Sequence, residues 1–277
     1  MKFRITILCE NSVGPISGAL GEHGFSALIE EAGGEQLLFD TGQGLSLLHN
    51  ARLMKRDLAT VRKVVISHGH YDHAGGLLPL LKEYGSKTVF AHPGIFALRN
   101  RIKDTGECYP IGIPESRATL EAAGAIFDLS ADFRSIAPGL YLTGKVPRVT
   151  DYETGDQGLY CDCTGQERDK TPDDQSLLLE SDKGLVILLG CCHAGLINTL
   201  EHIACMTGRR DVYAVIGGTH LGFSGHDQLE RTITALKRWG IKKLAASHCT
   251  GFNASTRLSR EMAKEFQMAM VGYTMEV

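Results

Sequence analysis

Apolar and polar residues alternate along Phe3-Arg4-Ile5-Thr6-Ile7 before the run closes on Leu8-Cys9-Glu10, so residues 2–10 read as a half-buried strand. A glycine-rich stretch from Gly14 to Gly24 leads into a second strand, Phe25-Ser26-Ala27-Leu28-Ile29-Glu30. The turn signal Ala32-Gly33-Gly34-Glu35 separates it from a third, Gln36-Leu37-Leu38-Phe39-Asp40. Residues 44–56 have helical spacing, with Leu45, Leu48 and Leu53 among the apolar positions. Residues 61–67 read as a buried strand, 76–84 as a helix and 87–91 as a short strand.

Over 97–135 the pattern is mixed, with helical patches broken by Pro and Gly. Residues 145–175 are polar and lack periodicity, which in a folded domain predicts a functional loop or lid. The pattern then sharpens: strands at 175–181 and 185–190 flank the turn Ser181-Asp182-Lys183-Gly184. Helices at 195–207 and 227–239 alternate with strands at 211–217 and 242–247, and a last helix is expected over 255–266. No repeat, low-complexity tract or linker interrupts this order. The expectation is one α/β domain spanning 1–277, with parallel and antiparallel strands and external helices.

Composition narrows the function. Hydrophobic residues at 43% and charged residues at 22% suit a globular protein. A net charge of −3 gives no electrostatic case for nucleic-acid or membrane-surface binding. A small-molecule substrate remains, including a phosphorylated one held by a metal or a local cationic cluster. The first residues lack a signal-peptide core and no stretch is long and apolar enough to span a bilayer, so a cytoplasmic location is expected. The cysteines (Cys9, Cys108, Cys161, Cys163, Cys191, Cys192, Cys205 and Cys249) are accordingly read as thiols or ligands rather than as a disulfide framework. A homo-oligomer is compatible with all of this.

The chemistry concentrates in Ser67-His68-Gly69-His70-Tyr71-Asp72-His73-Ala74-Gly75-Gly76, directly after an apolar strand. Imidazole and carboxylate donors at this density suit Zn²⁺, the expected ion, with Mn²⁺, Fe and Mg²⁺ as alternatives. His68 and His70, two apart in an extended segment, face the same way and can grip one ion. Asp72 and His73, beyond the turn, can reach a second. Four ligands cannot complete two sites, so one or two ions require donors from elsewhere. Gly190-Cys191-Cys192-His193, Gly217-Gly218-Thr219-His220 and Ser247-His248-Cys249 each follow a predicted strand, where open α/β sheets place ligands. His193 and His248 are therefore expected as ligands, and His220 as a ligand or a substrate contact. Pairing outward from the 181–184 turn sets Asp174 opposite Cys191, so Asp173 or Asp174 should lie beside the His193 loop.

His68-Gly69-His70-Tyr71-Asp72-His73 matches the HxHxDH signature of the metallo-β-lactamase superfamily, and Asp40-Thr41-Gly42 resembles its first motif. The resemblance implies an αββα sandwich of two packed mixed sheets flanked by helices. It also implies one metal on His68, His70 and His193 and another on Asp72, His73 and His248. Many members carry a bridging Asp where this chain reads Gly190-Cys191, which leaves Asp174 or Cys191 as the substitute. Glu22-His23-Gly24-Phe25-Ser26, Asp173-Asp174-Gln175-Ser176-Leu177, Gly190-Cys191-Cys192-His193-Ala194-Gly195 and His248-Cys249-Thr250-Gly251 are similar to the branch named for 7,8-dihydropterin-6-methyl-4-(β-D-ribofuranosyl)aminobenzene-5′-phosphate synthase.

Two enzymatic functions follow. The first is hydrolysis of a small, phosphorylated substrate by a metal-activated water, with Asp72 and His220 as the catalytic residues. The second, implied by the resemblance, is transfer of a pterin to an arylamine phosphate with release of pyrophosphate. Weaker signals are a Cys161-Asp162-Cys163 pair able to bind metal or to cycle as a disulfide, and Lys145, Arg148 and Arg168 as an anion clamp. Glu22-His23 sits in a loop that either overhangs the site or is solvated. A metal- or redox-responsive binding protein is the non-enzymatic alternative.

Overall fold

The computed structural model describes residues 1–277. Alternation along β1 (Phe3–Cys9) sends Phe3, Ile5 and Ile7 into one apolar layer and Leu8 into another. That split repeats through β2 (Ser26–Glu31) and β3 (Gln36–Phe39). There follow α1 (Leu47–Leu53), β4 (Lys63–Val65), α2 (Tyr71–Ala74), α3 (Leu77–Tyr84), β5 (Lys87–Ala91), β6 (Asn100–Ile102), β7 (Cys108–Pro110), α4 (Arg117–Ala122) and β8 (Ala125–Leu129). The chain continues through β9 (Arg134–Ala137), β10 (Leu140–Leu142), β11 (Leu159–Tyr160), β12 (Leu177–Ser181), β13 (Gly184–Leu189), α5 (Leu196–Thr207) and β14 (Val212–Gly218). It finishes with α6 (His226–Trp239), β15 (Lys243–Ser247), α7 (Gly251–Glu261), β16 (Phe266–Met268) and β17 (Thr274–Glu276).

Two seven-stranded sheets result, ordered β17-β1-β2-β3-β4-β5-β8 and β16-β15-β14-β13-β12-β10-β9. Both are mixed: β3-β4-β5-β8 and β13-β14-β15-β16 pair parallel, the remainder antiparallel. Phe25, Phe39 and Val65 of the first sheet pack against Leu179, Leu188 and Ile216 of the second in a shared inner core. The outer faces are covered by α1, α3 and α4 on one side and by α5, α6 and α7 on the other. This is the expected αββα sandwich.

Several boundaries differ from the sequence reading. The first helix is shorter than 44–56 and buries Leu47, Asn50 and Ala51, while Leu45 and Leu53 are exposed. The last helix begins and ends earlier than 255–266. Ala254, Leu258, Met262 and Phe266 are spaced by four and mimic one helical stripe, but Phe266 pairs with Leu244 as the start of β16. The tertiary partner overrides the local period. The irregular 97–135 stretch and the 145–175 loop supply a small third sheet, β11-β6-β7, which roofs one end of the sandwich. Its pairing brings Cys108 and Cys163 to a Cα–Cα distance of 5.6 Å, and they form a disulfide. This corrects, for these two residues, the reading of the cysteines as thiols or ligands; Cys161 is a free thiol.

The 145–175 segment is closely tied down. Glu153 accepts from the N–H groups of Ile197 and Asn198 at 2.8 Å each and so caps α5. Buried Arg99 joins Asp169 to Asp173 at 2.7 and 2.6 Å. No helix is long and apolar enough to cross a membrane. Phe39 lies fully buried at the end of β3, edge-on to Phe25. Phe39→Ala is expected to destabilise the fold by roughly 3–5 kcal/mol, read from urea unfolding monitored by circular dichroism.

Candidate metal centre

The C-terminal ends of β3, β4, β13, β14 and β15 converge, and every predicted site residue hangs from one of them or from the strand leading into them. Beyond β4 the chain passes through His68, Gly69 and His70 and coils into α2, which raises Asp72 and His73 on its first turn. A side chain at position 69 would strike the Ile95 carbonyl, and the Gly69 N–H donates to Asp173 at 2.8 Å. Four residues at these strand ends sit in the left-handed backbone region: Asp40 (φ 58°), Cys192 (φ 61°), His220 (φ 55°) and His248 (φ 50°). None is glycine, so each carries a backbone cost of the kind found where geometry serves chemistry.

Three donor groups form, the ligand atoms of each lying within 4.8 Å of one another: Asp72, His73, Cys191 and His248; His68, His70 and His193; and Cys191, His193 and His220. His68 Nε2 is 2.9 Å from His70 Nδ1, and His73 Nε2 is 3.2 Å from His248 Nε2. Outer partners fix the rings. Asp40 Oδ2 lies 2.7 Å from His73 Nδ1, Ser67 Oγ 2.9 Å from His68 Nδ1, and Asn11 Oδ1 2.8 Å from His248 Nδ1. Each leaves the opposite nitrogen facing inward, the arrangement of a ligating imidazole with its orienting partner.

These residues fit metal ions. His193 Nδ1 and Nε2 and His70 Nε2 are buried without a hydrogen-bond partner, and inward-facing lone pairs in such a place call for a cation. Burial pushes His68 and His193 well below the usual histidine range and His70 down to about 3, so all three are neutral, the ligating form. Burial also acts on His73, but the carboxylates of Asp72 and Asp40 outweigh it and raise His73 to about 9. Burial alone would raise Asp72; His73, His23 and His248 together hold it well below the carboxylate range.

Asp174 does lie beside the His193 loop, as the hairpin register requires. Its Oδ2 accepts from Ala194 N at 2.9 Å, it belongs to none of the donor groups, and burial raises it to about 6. His23 overhangs the centre, with Nε2 3.2 Å from Asp72 Oδ2, while Glu22 is buried and accepts from the amides of Gln43, Leu45 and Ser46. The suggested anion clamp does not form. Arg148 donates to the carbonyls of His193 and Lys170, Arg168 lies over Tyr160, and Lys145 is not among the residues lining the cavity.

The centre opens into a cavity of about 180 Å³ whose walls include Tyr71, Arg101, Tyr109, Asp156, His220 and Phe223. Arg101, Tyr109 and Asp156, from the roof, escaped the sequence reading. Glu10 and Asn11 did too, although polar residues closing a buried strand were the signal that found the histidines. Asp156 Oδ2 stands 3.4 Å from His220 Nε2 and accepts from Arg101 Nη1 at 2.7 Å. Burial would lower His220, but Asp156 and Cys249 together outweigh it and raise it to about 9. A polar groove that shares Arg101, Asp156 and Phe223 continues outward past Lys103 and Gln228.

A family model described as "Metallo-beta-lactamase superfamily" matches residues 20–194. The chain is 31% identical over 278 residues to the 7,8-dihydropterin-6-methyl-4-(beta-D-ribofuranosyl)-aminobenzene-5'-phosphate synthase of Methanocaldococcus jannaschii, covering 97% of this chain and 95% of that one. It superposes on Tm1679, described as a metal-dependent hydrolase of the beta-lactamase superfamily, with a TM-score of 0.84 and 29% identity over 99% of both chains. Zn(2+)-bound PqqB from Methylobacterium extorquens shares the fold at a TM-score of 0.59, with 15% identity and coverage of 99% of this chain and 100% of that one. With the HxHxDH loop and its distant histidines gathered at one edge of an αββα sandwich, the chain belongs to the metallo-β-lactamase superfamily.

Proposed function

We propose that this protein is a two-metal enzyme that hydrolyses a small phosphorylated substrate. The carrying observation is the convergence of buried, unpartnered imidazole nitrogens beside a cavity walled by Arg101 and His220. His68, His70 and His193 hold one ion; Asp72, His73 and His248 hold the other, Zn²⁺ being the ion that suits these donors. Bound ions of this kind acidify a water and polarise a phosphoryl or carbonyl oxygen. Asp72, fixed between His23 and His248, orients the attacking group. His220 is kept protonated by Asp156 and donates that proton to the leaving oxygen as the bond breaks. Arg101, bound to the same Asp156, faces the substrate anion. The roof carrying Arg101 and Tyr109 limits water around the reacting group.

A second reading has a specific basis: the synthase relative aligns over nearly the whole chain, and the outer groove offers room for a second molecule. In that reading an arylamine nitrogen attacks a pterin methylene carbon, the carbon–oxygen bond breaks and pyrophosphate leaves. The two separate in one assay. A hydrolase loaded with Zn²⁺ or Mn²⁺ turns over bis(p-nitrophenyl) phosphate alone. A synthase is silent there and releases pyrophosphate only with both pterin diphosphate and arylamine phosphate present.

His68→Ala is expected to lose metal, by elemental analysis, together with activity; full metal content and rate in that variant would rule out the site as drawn. Asp40→Asn should weaken metal binding by about 10–100-fold, read by competition with a chromogenic chelator. His220→Ala should retain at least one bound ion while kcat falls by a factor on the order of 10²–10⁴.

A further inference from the structure

Three free thiols, Cys191, Cys192 and Cys249, lie just beyond the ends of β13 and β15. Their surroundings differ. Cys192 Sγ faces Thr199 Oγ1 at 3.4 Å and packs in the outer core under α5. Cys249 Sγ lies 3.4 Å from the Cys191 carbonyl, accepts from His220 N at 3.3 Å and also contacts the Cys191 thiol at the cavity wall, but it belongs to none of the donor groups. Cys191 Sγ points into the centre, 3.1 Å from His73 Nε2.

Position in the donor network sets Cys191 apart. It belongs both to the group of Asp72, His73 and His248 and to the group of His193 and His220. His193 in turn belongs with His68 and His70. The sulfur therefore stands between the two triads. His73 Nδ1 is committed to Asp40, so Nε2 is the nitrogen that faces the Cys191 sulfur, and one proton lies between them. A cation taking that proton's place would be met by both the nitrogen and the sulfur. The other carboxylate within reach, Asp174, is tied to the Ala194 N–H and stands outside every group. Position 190 can carry no side chain, because a Cβ there would strike Ser67 Oγ.

We infer that the Cys191 thiolate is the ligand shared by the two ions, and that it biases the centre toward thiophilic divalent cations such as Zn²⁺ and Co²⁺ over Mn²⁺ and Mg²⁺. On binding, the S–H bond breaks, its proton passes to solvent, and sulfur–metal bonds form. The inference rests on the two-metal reading above and adds a donor to it.

Cobalt is the probe, because a sulfur–cobalt bond gives a near-ultraviolet charge-transfer band that nitrogen and oxygen ligands do not. The metal-free full-length protein, titrated with Co²⁺, is expected to take up two equivalents and develop that band. Cys191→Ser and Cys191→Asp should lack the band, and Cys192→Ser and Cys249→Ser should keep it. Cys191→Ser should bind the second equivalent on the order of 10–100-fold more weakly. Cys191→Asp should restore binding of both ions, with its preference moved toward Mn²⁺. Should Cys191→Ser fail to fold, as checked by circular dichroism, Cys191→Asp and Cys249→Ser carry the assignment, and a wild-type protein without the band overturns it outright. Two equivalents without the band, or a band that disappears in Cys249→Ser, overturns the inference and leaves the two-metal reading standing. A single equivalent overturns the sharing. Failure to bind cobalt at all overturns both.

Discussion

A buried carboxylate must find hydrogen-bond donors, and Asp40 finds all of its own among the residues that carry the chemistry. Its Oδ1 accepts from the Ser67 N–H, and its Oδ2 from the Ser67 hydroxyl and His73 Nδ1, each at 2.7 Å. Through the Ser67 hydroxyl it also governs His68. One side chain at the end of β3 thus sets two rings on the neighbouring loop, and its left-handed backbone is the cost of aiming it there. The second sheet is placed against the same point, since Gly190 must lack a side chain to pass beside Ser67 and Asp40.

The sequence disclosed this half of the site well, for a physical reason. Polar side chains gathered at the ends of buried parallel strands leave a mark: an apolar run stopping abruptly at His, Asp or Cys among small residues. His68, His70, His193, His220 and His248 all carried it. So did the sandwich, because β1 to β5 and β12 to β15 are long or apolar enough for their period to show. The register of the 181–184 hairpin even located Asp174, although its carboxylate is directed to a backbone amide rather than to the donor groups.

The roof was not legible. β6, β7 and β11 are two or three residues each, too short to display a period; β6 and β7 pair locally, and β11 joins β6 across more than fifty residues of chain. Arg101, Tyr109 and Asp156 enter the cavity from these elements and the loop beside them. No local pattern distinguishes them from solvated loop residues such as Arg168. The same holds for the Cys108–Cys163 pair, which depends on a fold-level juxtaposition. At the C-terminus the opposite error arises, with Phe266 continuing a helical stripe that the structure abandons.

The donors are divided between the sheets: His68, His70, Asp72 and His73 follow β4 in one, and Cys191, His193 and His248 follow β13 and β15 in the other. Cations held among them would fasten the two layers at one rim, joining positions more than a hundred residues apart along the chain. Such a clasp favours the folded chain by mass action, so resistance to unfolding should track the free concentration of the ion. Catalytic competence and mechanical integrity would then be supplied by the same atoms.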